Sequence, residues 1–216
     1  MRYKAVLFDM DGTVLNTVGD LTAAVNHTLG VFGMPERSEN EIKSFLGNGA
    51  KRLLTLSAPE GTSETQIDTM LLDYMPYYNA HCKELTAPYE GIIPLIEALK
   101  EAGARIAVIS NKQDEAVKPL AEEFFPGLLE FAIGESASVR RKPTPDSVLA
   151  AAEFFGTELS QTIYIGDTEV DIQTAKNASM DCAAVCWGFR SEQQLIEAGA
   201  QMLFKTPAEL KDFLLG

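Results

Sequence analysis

The stretch AVLFDMDGT, residues 5–13, decides the fold. Its first four residues are apolar, Asp9 follows them directly, and the turn pair Asp11-Gly12 comes shortly afterwards. A short apolar run that stops at a turn is typical of a buried strand. In parallel sheets, the residues just after the carboxyl ends of such strands bind ligands. The stretch therefore predicts a first strand that carries the carboxylates of Asp9 and Asp11 at its end.

Apolar runs of the same kind recur later in the chain. They lie at Arg105–Ile109, Phe131–Ile133, Ile163–Ile165, Ala183–Cys186 and Met202–Phe204. From Gly91 onward, an amphipathic stretch separates each run from the next. Short buried strands that alternate with helices indicate a parallel sheet with helices on both faces. We therefore predict an α/β fold with a Rossmann-like parallel-sheet core.

The alternation stops between Asn16 and Pro88, where apolar positions recur at helical spacing. We predict a core domain of residues 1–15 and 88–216, and an inserted α-helical cap domain of residues 16–87. Because functional loops leave the carboxyl ends of the strands, an insert at this point usually covers the active-site edge of the sheet. The alternative is helical padding on one sheet face.

Charge and cysteine content exclude several classes of protein. The 216 residues include 18 Lys and Arg against 31 Asp and Glu, a formal net charge of −13. Such a surface repels phosphate backbones and anionic lipid, so nucleic-acid and membrane partners are not expected. The cysteines have no zinc-ligand spacing, and no apolar run has the length of a secretory signal or a membrane span. We predict a cytoplasmic enzyme or binding protein, either a monomer or a homodimer.

Polar residues also follow two of the later runs. Residues 110–112, Ser-Asn-Lys, come after Ile109, and Gly166-Asp167 comes after Ile165, with Asp171 close behind. The carboxyl ends of parallel strands share one edge of the sheet, so these residues should meet the first carboxylates there. Clustered carboxylates repel one another, and oxygen-only ligands suit Mg²⁺ better than zinc. The predicted metal ligands are Asp9, Asp11, Asp167 and Asp171.

Each of these features also has a structural explanation. Asp11-Gly12 is a common turn pair, Ser110 could cap a helix, and Asp167 or Asp171 could stabilise a helix N-terminus. Lys142 precedes a predicted helix and can point back to the crevice, but residues 140–142, Arg-Arg-Lys, could equally form a solvated basic turn. Chance becomes an improbable explanation only when the polar residues at all the strand ends are considered together.

In combination, these residues resemble the four motifs of the haloacid dehalogenase superfamily. Residues 9–13 resemble the first motif, Ser110 the second and Lys142 the third, and Gly166-Asp167 with Asp171 resembles the fourth. The motifs appear in the family's order, and the resemblance extends over nearly the whole chain. The helical insert is similar to the superfamily's α-helical cap.

The resemblance implies a two-step phosphoryl transfer. Asp9 would attack phosphorus and form an aspartyl phosphate, and Asp11 would act as general acid and then as general base. Mg²⁺ would be held by the Asp9 carboxylate, the Asp11 carbonyl and Asp167, with Asp171 binding through water. Dehalogenases of the superfamily lack an acid at the Asp11 position, so Asp11 favours phosphoryl chemistry.

Further residues would bind the transferring phosphoryl group. The resemblance implies that Ser110 and the amide of Asn111 hydrogen-bond its oxygens and that Lys142 offsets their charge. Thr13 is a phosphate-binding candidate whose main expected role is to order the first loop. The catalytic set is then Asp9, Asp11, Ser110 and Lys142.

Substrate choice is expected to come from the insert. Gly47, Asn48 and Gly49 could let the backbone approach a small ligand, or they could form a plain interhelical turn. The segment resembles the cap loop of phosphoglycolate phosphatases, which implies 2-phosphoglycolate as substrate. The sequence departs from that family at Ser179, where relatives often have Gly, so the end of the preceding helix should be less stable.

Other functions share the same core residues. A phosphomutase similar to β-phosphoglucomutase and a pyrophosphatase are alternatives within the enzyme class. A regulatory protein that binds Mg²⁺ or phosphate without catalysis is an alternative outside it. Loss of one of the catalytic residues would have indicated the regulatory protein, and none of them is lost.

Overall fold

The computed structural model describes residues 1–216, which divide into two compact units. An α/β unit comprises Met1–Leu15 and Pro88–Gly216, and a helical unit comprises Asn16–Ala87. No helix in either unit combines the length and the apolar character needed to cross a membrane.

Eight strands are present, and six of them form one sheet in the α/β unit. The strands are β1 (Ala5–Asp9), β2 (Leu15–Asn16), β3 (Ala87–Pro88), β4 (Arg105–Gln113), β5 (Phe131–Glu135), β6 (Thr162–Gly166), β7 (Asp181–Val185) and β8 (Met202–Phe204). The large sheet has the order β5-β4-β1-β6-β7-β8, and every neighbouring pair is parallel. This architecture confirms the predicted α/β fold with a Rossmann-like parallel-sheet core.

Ten α-helices complete the chain, four of them in the helical unit. They are α1 (Val18–Val31), α2 (Glu39–Phe45), α3 (Gly49–Ser57), α4 (Glu64–His81), α5 (Ile92–Glu101), α6 (Asp114–Phe124), α7 (Asp146–Phe155), α8 (Glu169–Asn177), α9 (Glu192–Glu197) and α10 (Pro207–Leu215). A single 3₁₀ turn, Leu159–Gln161, leads into β6.

Strand β1 lies in the middle of the sheet, and all five of its residues are buried. Its apolar side chains point to both faces, and both faces of a parallel sheet are covered by helices, which explains the continuous apolar run. On one face, Leu7 packs with Val148 and Ala151 of α7. The same strand thus anchors the core and carries Asp9 at its end.

The register of the central strands brings their polar ends to one level. Asp9 lies opposite Ile109 of β4, and Phe8 lies opposite Ile165 of β6. The next residues along these strands, Ser110 and Gly166-Asp167, therefore lie beside the end of β1. Parallel pairing alone brings residues from three distant parts of the sequence to one edge.

Strand β4 is longer than the apolar run predicts. It continues to Gln113, and its pairing with β5 is irregular between Ile109 and Gln113. Residues 110–112 thus lie within an irregular strand end instead of following the strand. Such irregularities bend a strand and redirect its side chains, and they are frequent next to active sites.

In the helical unit, buried apolar residues of α1 and α4 form much of the interior, among them Leu21, Val25, Ile67 and Met70. The Asp20 carboxylate ties the end of the unit to α1, because it accepts hydrogen bonds from the backbone N–H groups of Leu85 and Thr86, each at 2.9 Å.

Helix α8 ends at a residue in an unfavourable conformation. Ser179 has a left-handed φ of 54°. Its N–H donates to the Lys176 carbonyl, and the Met180 N–H donates to the Ala175 carbonyl. This is the Schellman arrangement, in which glycine is favoured because it has no Cβ. The departure noted in the sequence therefore falls at the position where a side chain is least favourable.

We expect Ser179→Gly to raise the free energy of unfolding by up to about 1 kcal/mol, since the left-handed strain is removed and only partly offset by a more flexible unfolded chain. Urea denaturation measures the change. The matched control is Gly156→Ala at the end of α7, where φ is 63° and an added Cβ meets no atom within 4 Å. That variant should lose about 1 kcal/mol. A stability unaffected by Ser179→Gly would contradict this account.

Candidate active site

The loop after β1 turns tightly and lies close to the end of β6. Gly12 has a positive φ of 86°, and the Leu15 N–H donates to the Met10 carbonyl at 2.9 Å. A Cβ at Gly12 would overlap the Asp167 carboxylate, and so would one at Gly188. The two glycines therefore leave the space that the Asp167 side chain occupies.

Three buried carboxylates form the centre of the site. One carboxylate oxygen from each of Asp9, Asp167 and Asp171 lies within 4.8 Å of the others. Asp167 is held from two sides, because its oxygens accept hydrogen bonds from the Thr13 hydroxyl at 3.0 Å and from the Phe189 N–H at 2.6 Å. Such close carboxylates repel one another unless positive charge lies among them.

Lys142 supplies a positive charge at this centre. Its Nζ atom lies 2.6 Å from Asp9 Oδ1, 2.7 Å from Asp171 Oδ1 and 2.8 Å from the Tyr164 hydroxyl oxygen. The Lys142 side chain is only 3% exposed. Of the two possibilities left open by the sequence, the structure shows the lysine pointing into the crevice.

The backbone of Lys142 is held by Asn111. The Lys142 N–H donates to Asn111 Oδ1 at 2.6 Å, and Asn111 Nδ2 donates to the Lys142 carbonyl at 3.1 Å. This two-point bond joins the end of β4 to the turn before α7. The Asn111 side chain therefore positions Lys142, and the predicted contact of its backbone amide with phosphate stays a prediction.

Asp171 belongs to the site and to a helix terminus at the same time. Its Oδ2 accepts hydrogen bonds from the N–H and the hydroxyl of Thr168 at 3.0 and 2.7 Å, which caps α8. Its Oδ1 accepts from Lys142 and from the Tyr164 hydroxyl. Asp171 therefore caps the helix, as the structural explanation predicts, and lies among the buried carboxylates, while its role towards a metal stays a prediction.

Burial and charge shift the pKa values of these groups in different directions. Burial, opposed by Lys142 and reinforced by Asp171 and Asp167, raises the pKa of Asp9 well above its usual range. Burial and the Asp171 charge raise the pKa of Asp167 to about 7. Burial thus shifts both carboxyls towards the protonated form, and a further cation beside them would oppose that shift.

In the Asp171–Lys142 pair, by contrast, the pKa shifts favour the charged forms of both residues. Burial disfavours both charges, but the Lys142 ammonium and its hydrogen bond outweigh it and hold the pKa of Asp171 below the usual value. Burial likewise opposes the charged form of Lys142, and the carboxylates of Asp171 and Asp9 overcome it and raise the pKa of the lysine. Lys142 is therefore a permanent cation at neutral pH.

Asp11 lies beside this centre and contacts the end of β4. The Ser110 hydroxyl faces Asp11 Oδ2 at 3.5 Å, and Lys112 Nζ lies 3.2 Å from Asp11 Oδ1. The Lys112 N–H donates to the Ser110 hydroxyl oxygen at 3.1 Å. The irregular strand end thus directs both Ser110 and Lys112 towards the loop that follows β1.

The α/β unit brings together eight of the residues predicted from sequence. These are Asp9, Asp11, Thr13, Ser110, Asn111, Lys142, Asp167 and Asp171. Gly47, Asn48 and Gly49 belong to the helical unit, at the start of α3, where both glycines have a positive φ. Their role in substrate binding stays a prediction.

Tyr164 is a member of the cluster that sequence reasoning missed. It lies between Ile163 and Ile165 in a strand whose residues are all buried, so the sequence pattern indicates only another large core residue. The available signal was its hydroxyl, because a buried tyrosine nearly always hydrogen-bonds through that group. The Phe189 N–H, a backbone donor, leaves no such signal in a single sequence.

The donor set suits a hard divalent cation. It consists of carboxylate oxygens at a sheet edge, buried and close together, with no nitrogen or sulfur ligand in the cluster. Asp171 already accepts four hydrogen bonds, whereas Asp9 and Asp167 accept fewer. The residues present fit a magnesium-type site centred on Asp9 and Asp167.

Comparison with known proteins identifies the class. A family model described as haloacid dehalogenase-like hydrolase matches residues 6–185. The chain therefore belongs to the haloacid dehalogenase-like hydrolases, and the carboxylate cluster is compatible with the divalent metal that phosphatases of this family generally use.

Individual relatives narrow the class to phosphatases. The chain is 30% identical to phosphoglycolate phosphatase 1 of Pseudomonas aeruginosa, over 96% of this chain and 78% of that protein. It is 29% identical to N-acetylmuramic acid 6-phosphate phosphatase of the same organism, over 99% of this chain and 96% of that protein. A crystal structure of a candidate phosphoglycolate phosphatase from Lactobacillus delbrueckii subsp. bulgaricus superposes with a TM-score of 0.96 at 39% identity, each chain fully covered. The protein is a phosphoric monoester hydrolase, as its sequence predicts.

Proposed function

We propose that the protein is a Mg²⁺-dependent phosphatase that hydrolyses 2-phosphoglycolate to glycolate and phosphate through an aspartyl phosphate on Asp9. One observation carries the proposal, the contact of 2.6 Å between Lys142 Nζ and Asp9 Oδ1 inside a cluster of buried carboxylates. A nucleophilic carboxylate, a fixed cation and an adjacent acid are what a covalent phosphoryl transfer requires.

In the first step, an Asp9 carboxylate oxygen attacks phosphorus, and the bond between phosphorus and the ester oxygen breaks. Asp11, in its protonated form, gives its proton to that oxygen, and the alcohol leaves neutral. Lys142 keeps the Asp9 carboxylate in a fixed orientation, which supports an in-line approach. Ser110 and the backbone amide of Asn111 donate hydrogen bonds to the phosphoryl oxygens, as oxyanion donors do elsewhere.

In the second step, water attacks phosphorus and the bond to Asp9 breaks. Asp11, now a carboxylate, takes a proton from that water, so it regains the proton that it gave up in the first step. The Asp9 carboxylate is restored, and phosphate leaves. One residue can perform both transfers because the alcohol leaves from the side of phosphorus on which water then attacks.

Mg²⁺ would be held by the carboxylates of Asp9 and Asp167 and by the backbone carbonyl of Asp11, with Asp171 acting through water. When bound, it offsets the negative charge shared by the substrate and the carboxylates and keeps Asp9 ionised. The four hydrogen bonds that Asp171 already accepts support an indirect role for that residue.

Binding of Mg²⁺ should therefore stabilise the fold. We expect Mg²⁺ at 100 times its dissociation constant to add about 2.7 kcal/mol to the unfolding free energy, seen as a rise in Tm in the absence of substrate. Asp167→Asn should abolish most of this rise. Asp181→Asn, a control on the exposed start of β7, should leave the rise unchanged. An equal rise in the wild-type protein and in Asp167→Asn would place the metal elsewhere.

The choice of 2-phosphoglycolate is supported by the named relatives and by the Gly47-Asn48-Gly49 segment of the proposed cap domain. N-acetylmuramic acid 6-phosphate is the second candidate, because a relative of nearly full-length coverage is named for it. The two esters share a feature, a carboxylate on the molecule that carries the phosphate. Cytoplasmic location and a monomeric or homodimeric state stay predictions.

Phosphate release from a panel of phosphate compounds, with and without Mg²⁺, tests the assignment. The panel contains the two carboxylated esters, hexose phosphates, pyrophosphate and nucleotides. A preference in kcat/KM for 2-phosphoglycolate supports the proposal. A preference for another compound overturns the substrate and keeps the mechanism. Interconversion of hexose phosphates without release would indicate a mutase, and inactivity on every compound would indicate a binding protein.

A further inference from the structure

Lys112 is a cation with a largely covered side chain that the mechanism above does not use. It lies in the irregular end of β4, and its Nζ atom is 3.2 Å from Asp11 Oδ1. Its side chain is only 8% exposed, and that of Asp11 is 20% exposed. Holding an ammonium so far from water is unfavourable unless a charged partner compensates, so the ion pair with Asp11 is a constrained one.

The two oxygens of Asp11 face different groups on the same strand end. Oδ2 faces the Ser110 hydroxyl, and Oδ1 is buried, makes no directed hydrogen bond and lies next to the Lys112 ammonium. The contact with Lys112 is therefore an electrostatic one. The Ser110 contact, at 3.5 Å, is long for a hydrogen bond, so the Lys112 ammonium, at 3.2 Å, is the nearer of the two groups that restrain the carboxyl group.

Lys112 is also coupled to Ser110 through its backbone. Its N–H donates to the Ser110 hydroxyl oxygen at 3.1 Å. The side chain and the main chain of one residue thus fix the proposed acid and the proposed phosphoryl-binding hydroxyl relative to each other. A proton donor must lie within hydrogen-bond reach of the leaving oxygen, so its orientation limits the rate.

We propose that Lys112 is a positioning residue that holds Asp11 in the orientation needed to protonate the leaving group. The proposal rests on the proposed function, because it assumes that Asp11 is the general acid. Lys112 itself does not touch the reacting atoms in this scheme. Its contribution should therefore depend on how much the leaving group needs a proton.

Two classes of substrate separate this role from a general structural one. An alkoxide is a poor leaving group and needs the proton from Asp11 as its bond to phosphorus breaks. The 4-nitrophenolate anion is stable and leaves unprotonated, so hydrolysis of 4-nitrophenyl phosphate depends little on the acid. A misplaced Asp11 should slow the first class and spare the second, when kcat/KM is compared, since that ratio reports the steps up to formation of the phosphoenzyme.

The experiment measures kcat/KM of Lys112→Met for 2-phosphoglycolate, for glycerol 3-phosphate and for 4-nitrophenyl phosphate. We expect a fall of about 10- to 100-fold for both alkyl esters and of less than about 3-fold for the aryl ester. Lys112→Arg, which keeps the charge, should recover most of the loss. Lys118→Met, a control at an exposed lysine paired with Asp114 on α6, should change none of the three values.

Asp11→Asn, assayed in parallel, distinguishes failure of this proposal from failure of the proposed function. If Asp11→Asn spares the aryl ester but Lys112→Met slows all three esters equally, Lys112 has a general role and the positioning proposal is wrong. If Lys112→Met slows only 2-phosphoglycolate, the lysine contacts the substrate carboxylate, and the proposal is again wrong. If Asp11→Asn shows no selectivity, the acid role fails, and the positioning role fails with it. Lys112→Gln replaces Lys112→Met should the latter not fold.

Discussion

Asp9→Asn is expected to lower turnover of every phosphate ester by at least about 10⁴-fold, because an amide oxygen does not form the covalent intermediate and the remaining groups only bind and orient the substrate. No other side chain of the cluster can replace the nucleophile: Asp167 is held by Thr13 and Phe189, and Asp171 is fixed by its four hydrogen bonds. Steady-state phosphate release over a wide range of enzyme concentration measures the loss.

The fold should survive this substitution. Asn has the size of Asp, and Lys142 keeps its ion pair with Asp171 at 2.7 Å. Circular dichroism and Tm provide the check. Asp68→Asn, at an exposed carboxylate of α4, is the matched control and should keep full activity. Activity within 100-fold of wild type in a folded Asp9→Asn protein would exclude Asp9 as the nucleophile.

Acid quench of the wild-type protein during turnover of a substrate with a labelled phosphate adds a direct test, because the label then marks any phosphoryl group bound to the protein. A phosphoryl group on Asp9 is an acyl phosphate, which survives acid and is released by hydroxylamine, whereas a phosphoserine would resist hydroxylamine. Label should be absent from Asp9→Asn. Label of equal amount in that variant would indicate that another residue is the nucleophile.

The fold was readable in the sequence because its determining signal is local. A central parallel strand is covered on both faces, so residues 5–8 form an uninterrupted apolar run, and the run ends where the chain meets the carboxyl edge. The same argument applies to β6, which ends at Gly166. It failed to locate the end of β4, because polar residues 110–113 continue the strand in an irregular register. Polar residues therefore indicate where a strand reaches the edge of the sheet, but they do not indicate at which residue its hydrogen bonding ends.

The arrangement of the site was less accessible, since it depends on contacts between distant residues. Residues 140–142 are three consecutive cations that look alike in sequence. Only the fold separates them: Arg140 pairs with Asp146 and is mostly exposed, whereas Asn111 holds the backbone of Lys142 and turns its side chain inward. Tyr164 escaped notice for the related reason that a polar tip on a large buried side chain shows its partner only in three dimensions.

The second large effect is expected for Lys142→Met, which removes the cation that lies between Asp9 and Asp171. Turnover should fall by about 10²- to 10³-fold, because the charge that offsets the transferring phosphoryl group is lost. Stability should fall by about 3 kcal/mol or more at neutral pH without Mg²⁺, because removal of one partner leaves buried carboxylates without compensation. Urea denaturation and steady-state kinetics measure the two losses. Arg140→Met, at a side chain that is 74% exposed, is the control and should change neither by much.

The response to Mg²⁺ separates loss of charge from loss of packing in Lys142→Met. In the wild-type protein, the ammonium and a divalent cation would compete for the same carboxylates, which lie within 4.8 Å of one another. Without the ammonium, the site should bind Mg²⁺ more tightly, so the rise in Tm on adding Mg²⁺ should be larger in the variant than in the wild-type protein. Tyr164→Phe removes a hydrogen bond to Asp171 and leaves the charges in place, so its rise should match wild type. A smaller rise in Lys142→Met would mean that the lysine organises the metal site through packing, and the electrostatic account of the cluster would then be wrong.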